Sequence, residues 1–158
     1  MRKIGITGAS GHIGNNLVRQ LIEKGENVKA IIPSFAARHS LENIEGLSIV
    51  DGNVCDLESL KITLEGVRVV YHLASVISIT TGEYDKLYKV NVEGTKNVIV
   101  ACLHHNVERL VYTGSVHAFE EPPHGITINE TTPIDPKTAI GNYGKTKAAA
   151  INEVIKAT

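Results

Sequence analysis

Tyr143 and Lys147 stand four positions apart in Tyr143-Gly144-Lys145-Thr146-Lys147. On a helix that spacing puts both side chains on one face, where they can act on one small volume. A phenol left to itself titrates near about 10, too high for easy proton exchange around neutrality. An ammonium beside it favours the phenolate and lowers that value, which would make Tyr143 a usable proton donor and acceptor. The alternative is a plain surface pair, because tyrosine and lysine often occur at this spacing. A second cluster suits a different task. Gly8, Gly11 and Gly14 punctuate Thr7-Gly8-Ala9-Ser10-Gly11-His12-Ile13-Gly14. Glycines let the chain turn tightly and approach a ligand closely, and a helix that starts there offers N–H groups and a positive dipole to phosphates. The alternative is a glycine-rich turn that binds nothing.

Both clusters need elements to carry them. Lys3-Ile4-Gly5-Ile6-Thr7 is expected to be a strand that ends at the glycine turn. Apolar Ile13, Leu17, Val18, Leu21 and Ile22 predict a helix over 13–24, stopped by Gly25. Further strands are expected at about 28–32, at Leu47-Ile49-Val50, at 68–73 and at 110–113, with helices near 57–64, over 84–105 and over 143–156. The Pro-containing segment 119–141 is long for a connection and is expected to be a functional loop. Regular β–α alternation with apolar strands implies a doubly wound α/β fold, a parallel sheet covered by helices on both faces. Ligands of such sheets lie at the carboxyl ends of the strands. The glycine turn, which follows the first strand, is expected there.

Composition narrows the classes. The chain has 158 residues, 42% hydrophobic and 21% charged, with net charge −1. Ordinary hydrophobicity with so little net charge argues against disorder, and the charge argues against a nucleic-acid binder held by a general basic field. No apolar run approaches the ~18 residues of a membrane span, and the start of the chain lacks the apolar region of a signal peptide. Cys55 and Cys102 have neither metal-like spacing nor disulfide density, so reduced thiols in a cytoplasmic protein are expected. No metal is expected. His104 and His105 fall at the end of a helix, where imidazolium complements the dipole; His117 and His124 lie nearer the crevice, with no role fixed.

Thr7–Gly14 has the spacing GxxGxxG, and with Tyr143–Lys147 it resembles the extended branch of the short-chain dehydrogenase/reductase superfamily. Asp56-Leu57, His72-Leu73-Ala74-Ser75, Asn91-Val92-Glu93-Gly94-Thr95 and Thr113-Gly114-Ser115 follow the same branch in order. The resemblance covers essentially the whole chain and implies an NAD(P)-binding Rossmann fold. It assigns Gly8, Ser10, Gly11, His12 and Ile13 to the pyrophosphate turn and Asp56 with Leu57 to the adenine. Leu73, Ala74 and Ser75 would lie beside the cofactor, and Asn91 would support the site. Ser115 would bond the reacting oxygen, Tyr143 would transfer its proton, and Lys147 would hold the nicotinamide ribose while tuning Tyr143, so that Tyr143 and Lys147 also contact the cofactor. Gly114 stands where a serine is usual. Asp56 is equally credible as a helix N-cap, Leu73 as a core residue, and Ser115 as a turn cap.

Cofactor choice turns on the stretch after the second strand. Ile32-Pro33-Ser34-Phe35-Ala36-Ala37-Arg38-His39 contains no acid to meet ribose hydroxyls, whereas Ser34, Arg38 and His39 can accept a 2′-phosphate. NADP is expected, with NAD as the alternative; Arg38 as a simple solvated residue is equally open. The implied activity is NAD(P)-dependent oxidoreduction or epimerase/dehydratase chemistry on a carbonyl or hydroxyl small molecule, closest to dihydroflavonol-reductase-like and epimerase-like members. A non-catalytic NAD(P)-binding or regulatory domain, or an interaction module, is the alternative class. No nucleic-acid or membrane partner is expected, and a homodimer is the candidate assembly. Family members continue through a substrate lobe, so residues 1–158 are expected to be one NAD(P)-binding domain truncated after the catalytic helix.

Overall fold

The structure, a computed structural model, describes residues 3–33, 38–78 and 83–158. Strands β1 (Lys3–Thr7), β2 (Asn27–Ile32), β3 (Ser48–Asp51), β4 (Val69–His72) and β5 (Arg109–Tyr112) form one sheet in the order β3-β2-β1-β4-β5. Every pairing is parallel, with Ile6 opposite Ala30 on β2 and opposite Tyr71 on β4. The winding reverses between β1 and β4, so the crevice beyond their carboxyl ends is where a doubly wound sheet accepts ligands.

Helices α1 (His12–Glu23), α2 (Leu57–Thr63), α3 (Tyr84–Tyr88), α4 (Gly94–His104) and α5 (Gly141–Lys156) complete the regular structure, with a π-helical turn at Lys89–Glu93 and a 3-10 turn at Val116–Ala118. None is long and apolar enough to cross a membrane. The chain forms two compact units, Met1–Ala74 with Asn97–Thr113, and Ser75–Lys96 with Gly114–Thr158.

The first unit holds the sheet. One face carries Ile4, Ile6, Val28, Ala30 and Ile32, all buried, against Leu17, Val18, Leu21 and Ile22 of α1. Each such side chain contributes about 1.5–3 kcal/mol relative to exposure. The opposite face receives the end of α2: a side chain on Gly5 would come within 3.1 Å of Val67 and 3.3 Å of Leu64. Lys29, buried on this face, donates through Nζ to the carbonyls of Thr63 at 2.7 Å and Glu65 at 3.3 Å, groups that α2 leaves unbonded at its C-terminus. Its ammonium is pushed below the usual lysine range, chiefly by burial and then by Lys3. The second unit packs around Leu87 and Val92 and a small cluster of Ala118, Ala139 and Ala148 with Ile134 and Ile151.

Two expectations change. The helix expected over 84–105 is not uniform: a π turn interrupts it at Lys89–Glu93. Asn91 lies within it, and its buried amide bonds outside the helix, as described below. The last helix starts at Gly141, two residues before Tyr143, because Gly141 takes φ +70° and turns the chain into it. Gly25 ends α1 as expected, at φ +76° with its N–H bonded to the Ile22 carbonyl.

Candidate functional site

The glycine turn lies at the switch between β1 and β4, and its three glycines do different jobs. Gly8 has φ +71°, and a Cβ there would lie 2.6 Å from the Ala74 nitrogen and 2.7 Å from the Leu73 carbonyl carbon. A Cβ on Gly14 would stand 2.2 Å from the Gly8 oxygen. Both are therefore demanded by the chain's own packing. Gly11 is not: it is exposed, at φ −74° and ψ 172°, and its Cβ would meet only the Gly8 oxygen at 3.3 Å. That open cradle faces the start of α1, where no side chain caps the helix and no acid occupies the first turn. An anionic pyrophosphate fits such a site by shape and by charge. Ile13, also in that turn, is 58% exposed although it is a large apolar residue.

Neighbouring groups hold the turn in place. Thr7 Oγ1 lies 2.7 Å from His72 Nδ1 and accepts the Ala74 N–H at 3.3 Å, which fastens the carboxyl ends of β1 and β4 together. The Ser40 hydroxyl donates to the Ser10 carbonyl at 3.4 Å, and Asn15 Nδ2 donates to the Ser40 carbonyl at 2.6 Å. Leu73 is half-buried against the α1-side core. Asp56 caps α2, accepting from the N–H groups of Glu58 at 3.0 Å and Ser59 at 3.2 Å, with Leu57 half-buried beside it. Arg38 is not a simple solvated cation: its Nη2 lies 2.9 Å from Asp51 Oδ1, an acid at the end of β3. Sequence reasoning looked for an acid only after β2 and missed Asp51. His39 pairs with Glu42 at 3.3 Å, and Ser34 lies outside the described residues.

The second unit holds Ser115, Tyr143 and Lys147. Tyr143, half-buried, and Lys147, buried, lie one turn apart on α5. Burial lowers the Lys147 ammonium to about 8, so it is still mostly charged at neutral pH. Ser115 opens the 3-10 turn, and its hydroxyl oxygen accepts the His117 N–H at 3.3 Å. The hydroxyl hydrogen is thereby left for another acceptor. The turn and α5 approach closely because Gly144 has no side chain: its Cβ would lie 2.5 Å from the His117 carbonyl oxygen. The His117 and Tyr143 rings stand edge to face with centroids 6.1 Å apart.

Asn91 ties this unit together. Its Oδ1 accepts from the Ser75 hydroxyl at 3.1 Å and the Val76 N–H at 2.8 Å; its Nδ2 donates to the Val76 carbonyl at 3.0 Å and to Thr146 Oγ1 at 3.1 Å. Thr146 in turn donates to the Tyr143 carbonyl at 2.9 Å. Asn91 thus fixes the first turn of α5 through Thr146, a residue whose part sequence reasoning missed. The available signal was an asparagine in a helix interior, a costly placement that needs a reason. Among the described residues no cluster of His, Cys, Asp or Glu is arranged to hold a metal.

Residues 5–158 match the model of the 3-beta hydroxysteroid dehydrogenase/isomerase family. The chain is 36% identical over 152 residues to sterol demethylase protein B of Methylococcus capsulatus, covering 95% of this chain and 45% of that protein. It is 33% identical over 159 residues to 2-alkyl-3-oxoalkanoate reductase of Stenotrophomonas maltophilia, covering 98% and 46%. Among solved structures, a short-chain dehydrogenase/reductase superfamily protein from Agrobacterium tumefaciens with bound NAD superposes with TM-score 0.82 at 27% identity, over 97% of this chain and 44% of that one. The chain thus spans a little under half the length of the relatives it matches.

Proposed function

We propose, for a chain that belongs to the 3-beta hydroxysteroid dehydrogenase/isomerase family of extended short-chain dehydrogenases/reductases, a part in NAD(P)-dependent reduction or oxidation at a carbonyl/hydroxyl carbon. The observation that carries the reading is in the second unit: buried Lys147 lies one helical turn past Tyr143, in the unit that also presents Ser115. When bound, the nicotinamide supplies the hydride. The chain's own residues do the rest. Gly8, Ser10, Gly11, His12 and Ile13, with the N-terminus of α1, bind the pyrophosphate, and Asp56 and Leu57 border the adenine. Ser115 donates its hydroxyl hydrogen to the substrate oxygen and so orients it. Tyr143 gives a proton to that oxygen in reduction and takes it back in oxidation. Lys147, one turn further along α5, brings its ammonium to the nicotinamide ribose, the duty that the resemblance assigns to it.

The Arg38–Asp51 pair bears on the choice between NADP and NAD. A 2′-phosphate and Asp51 compete for one guanidinium, so the preference for NADP rests on how readily Arg38 leaves its partner. The relatives bear names of ketone and sterol enzymes, in line with a carbonyl or hydroxyl substrate here.

Tyr143→Phe tests the proton chemistry. The substitution is expected to abolish turnover, followed by the absorbance of the reduced nicotinamide, while cofactor affinity stays within a few-fold. Turnover equal to that of the unsubstituted protein removes Tyr143 from the mechanism. NAD(P)H binding that persists beside a complete lack of turnover with any ketone favours a nucleotide-binding or regulatory role instead.

A further inference from the structure

We propose that Asn97 is a positioning residue for recognition of the cofactor's base: its amide holds the turn before α2, where the Asp56 carboxylate meets an exocyclic amino group. The inference rests on the reading above that Asp56 and Leu57 border the adenine. It adds what fixes that border and which base it prefers.

The chain leaves the sheet at Gly52, whose N–H bonds the Ile32 carbonyl at 2.8 Å, and turns through residues 53–56 into α2. Local bonds shape this turn. Asn53 Oδ1 accepts the Cys55 N–H at 2.9 Å, the Asn53 carbonyl accepts the Asp56 N–H at 2.9 Å, and the Asn53 N–H donates to Ser59 Oγ at 3.2 Å. These three run within residues 53–59 and fasten the turn to no other element. Fastening falls to Val54. Its side chain is buried, and its carbonyl accepts from Asn97 Nδ2 at 2.9 Å, across 43 positions. Both residues belong to the first unit. Packing of Val54 limits how far the turn can shift, whereas a directional bond also sets how it is rotated. Asparagine is a poor helix former, and Asn97 stands half-buried inside α4, so its presence there needs a reason outside the helix. The bond to Val54 is that reason.

Asp56 follows two residues after Val54 and is exposed. Its Oδ1 caps α2, accepting from the N–H groups of Glu58 at 3.0 Å and Ser59 at 3.2 Å. Its Oδ2 makes no hydrogen bond among the described residues. The cap orients the carboxylate on α2, and Asn97 orients the turn that leads into it. A carboxylate only accepts, so the open oxygen calls for a donor. Adenine carries an amino group at C6, whereas hypoxanthine carries a carbonyl there and sets acceptor against acceptor. Preference between these two bases therefore reports where Asp56 stands. Hydrogen bonds weaken steeply with misalignment, so a turn freed from Asn97 loses this preference while the glycine turn still binds the pyrophosphate.

Titration by nicotinamide fluorescence tests this with NADPH and reduced nicotinamide hypoxanthine dinucleotide phosphate, which differ only in the base. The unsubstituted protein is expected to favour NADPH ~10-fold, the worth of one hydrogen bond to a charged acceptor on an exposed residue. Asn97→Ala is expected to bring the two within about three-fold by weakening NADPH, and Asn97→Gln, which keeps the donor, to restore most of the preference. Alanine is the better helix former, so α4 is retained in the first variant. A residue that merely steadied the fold would weaken both cofactors alike, and an unchanged ratio in Asn97→Ala overturns the proposal. Asp56→Asn keeps an oxygen for the cap and checks the underlying reading. Loss of preference in Asp56→Asn beside an unchanged ratio in Asn97→Ala removes the role of Asn97 alone. Equal binding of the two cofactors by the unsubstituted protein, or binding of neither, overturns that role together with the place of Asp56 at the base.

Discussion

Asn91 and Asp51 show how much a single side chain settles in this protein. Asn91 uses both atoms of its amide, and truncation to Ala leaves the Val76 N–H, the Val76 carbonyl and the Thr146 hydroxyl without it in a buried place. The cost of Asn91→Ala is expected to be about 2–4 kcal/mol, measured as a shift in the denaturant midpoint at unchanged slope. A change below a few tenths would mean that water replaces the amide without penalty. Asp51 acts through its partner. Asp51→Asn takes the competing carboxylate from the Arg38 guanidinium and is expected to raise the preference for NADPH over NADH several-fold, whereas Arg38→Ala lowers it. Equal affinity ratios in all three proteins would take the pair out of cofactor choice. The sequence displayed Arg38 as a candidate because of its place after β2. It hid Asp51, since an ion pair between a connecting turn and the end of another strand depends on a tertiary register that no local spacing encodes.

At the scale of elements, the glycines separate architecture from ligand binding. Gly14→Ala drives a methyl to 2.2 Å from the Gly8 oxygen, so α1 must withdraw from β1; the expected cost is about 1–3 kcal/mol, together with loss of nucleotide binding. Gly25→Ala meets nothing within 4 Å and bears only the strain of φ +76°, about 1–2 kcal/mol, with nucleotide affinity retained. Thermal unfolding paired with NADPH titration separates the two, and a Gly14→Ala protein that binds normally would contradict the close packing of the turn. Strands and helices were legible to within a few residues, because period-two and period-3.6 apolar patterns report burial directly. The π turn was not, because the sequence reveals that Asn91 is ill-suited to a helix but not which groups it will bond.

For the molecule as a whole, burial sets both reactivity and pH response. Burial pushes the Cys102 thiol up to about 12, so iodoacetamide at neutral pH is expected to modify half-buried Cys55 first and Cys102 only as the chain unfolds. Equal labelling rates in the folded chain would contradict the core described here. Lys147 titrates near 8 when folded against 10.5 when not. Between those values the unfolded chain binds more protons, so stability gains from this group as pH rises through the window, and the burial penalty is complete below it. Lys147→Met is expected to flatten that part of the pH–stability curve. In the proposed role the dependence runs the other way, because the Lys147 ammonium is lost above about 8. The motifs were legible in sequence because each is local; their hydrogen-bond partners were not, because Asn91 meets Thr146 across 55 positions. The π turn carries one more consequence, in the currency of insertions and deletions. A π turn holds one residue more than the α turn it replaces. Loss of a single residue within Lys89–Glu93 would therefore leave a chain free to heal into continuous α-helix with its flanks in register, and only the bulge that carries Asn91 would be gone. A deletion that local helix propensity tolerates would thus be tolerated by the helix and not by the site.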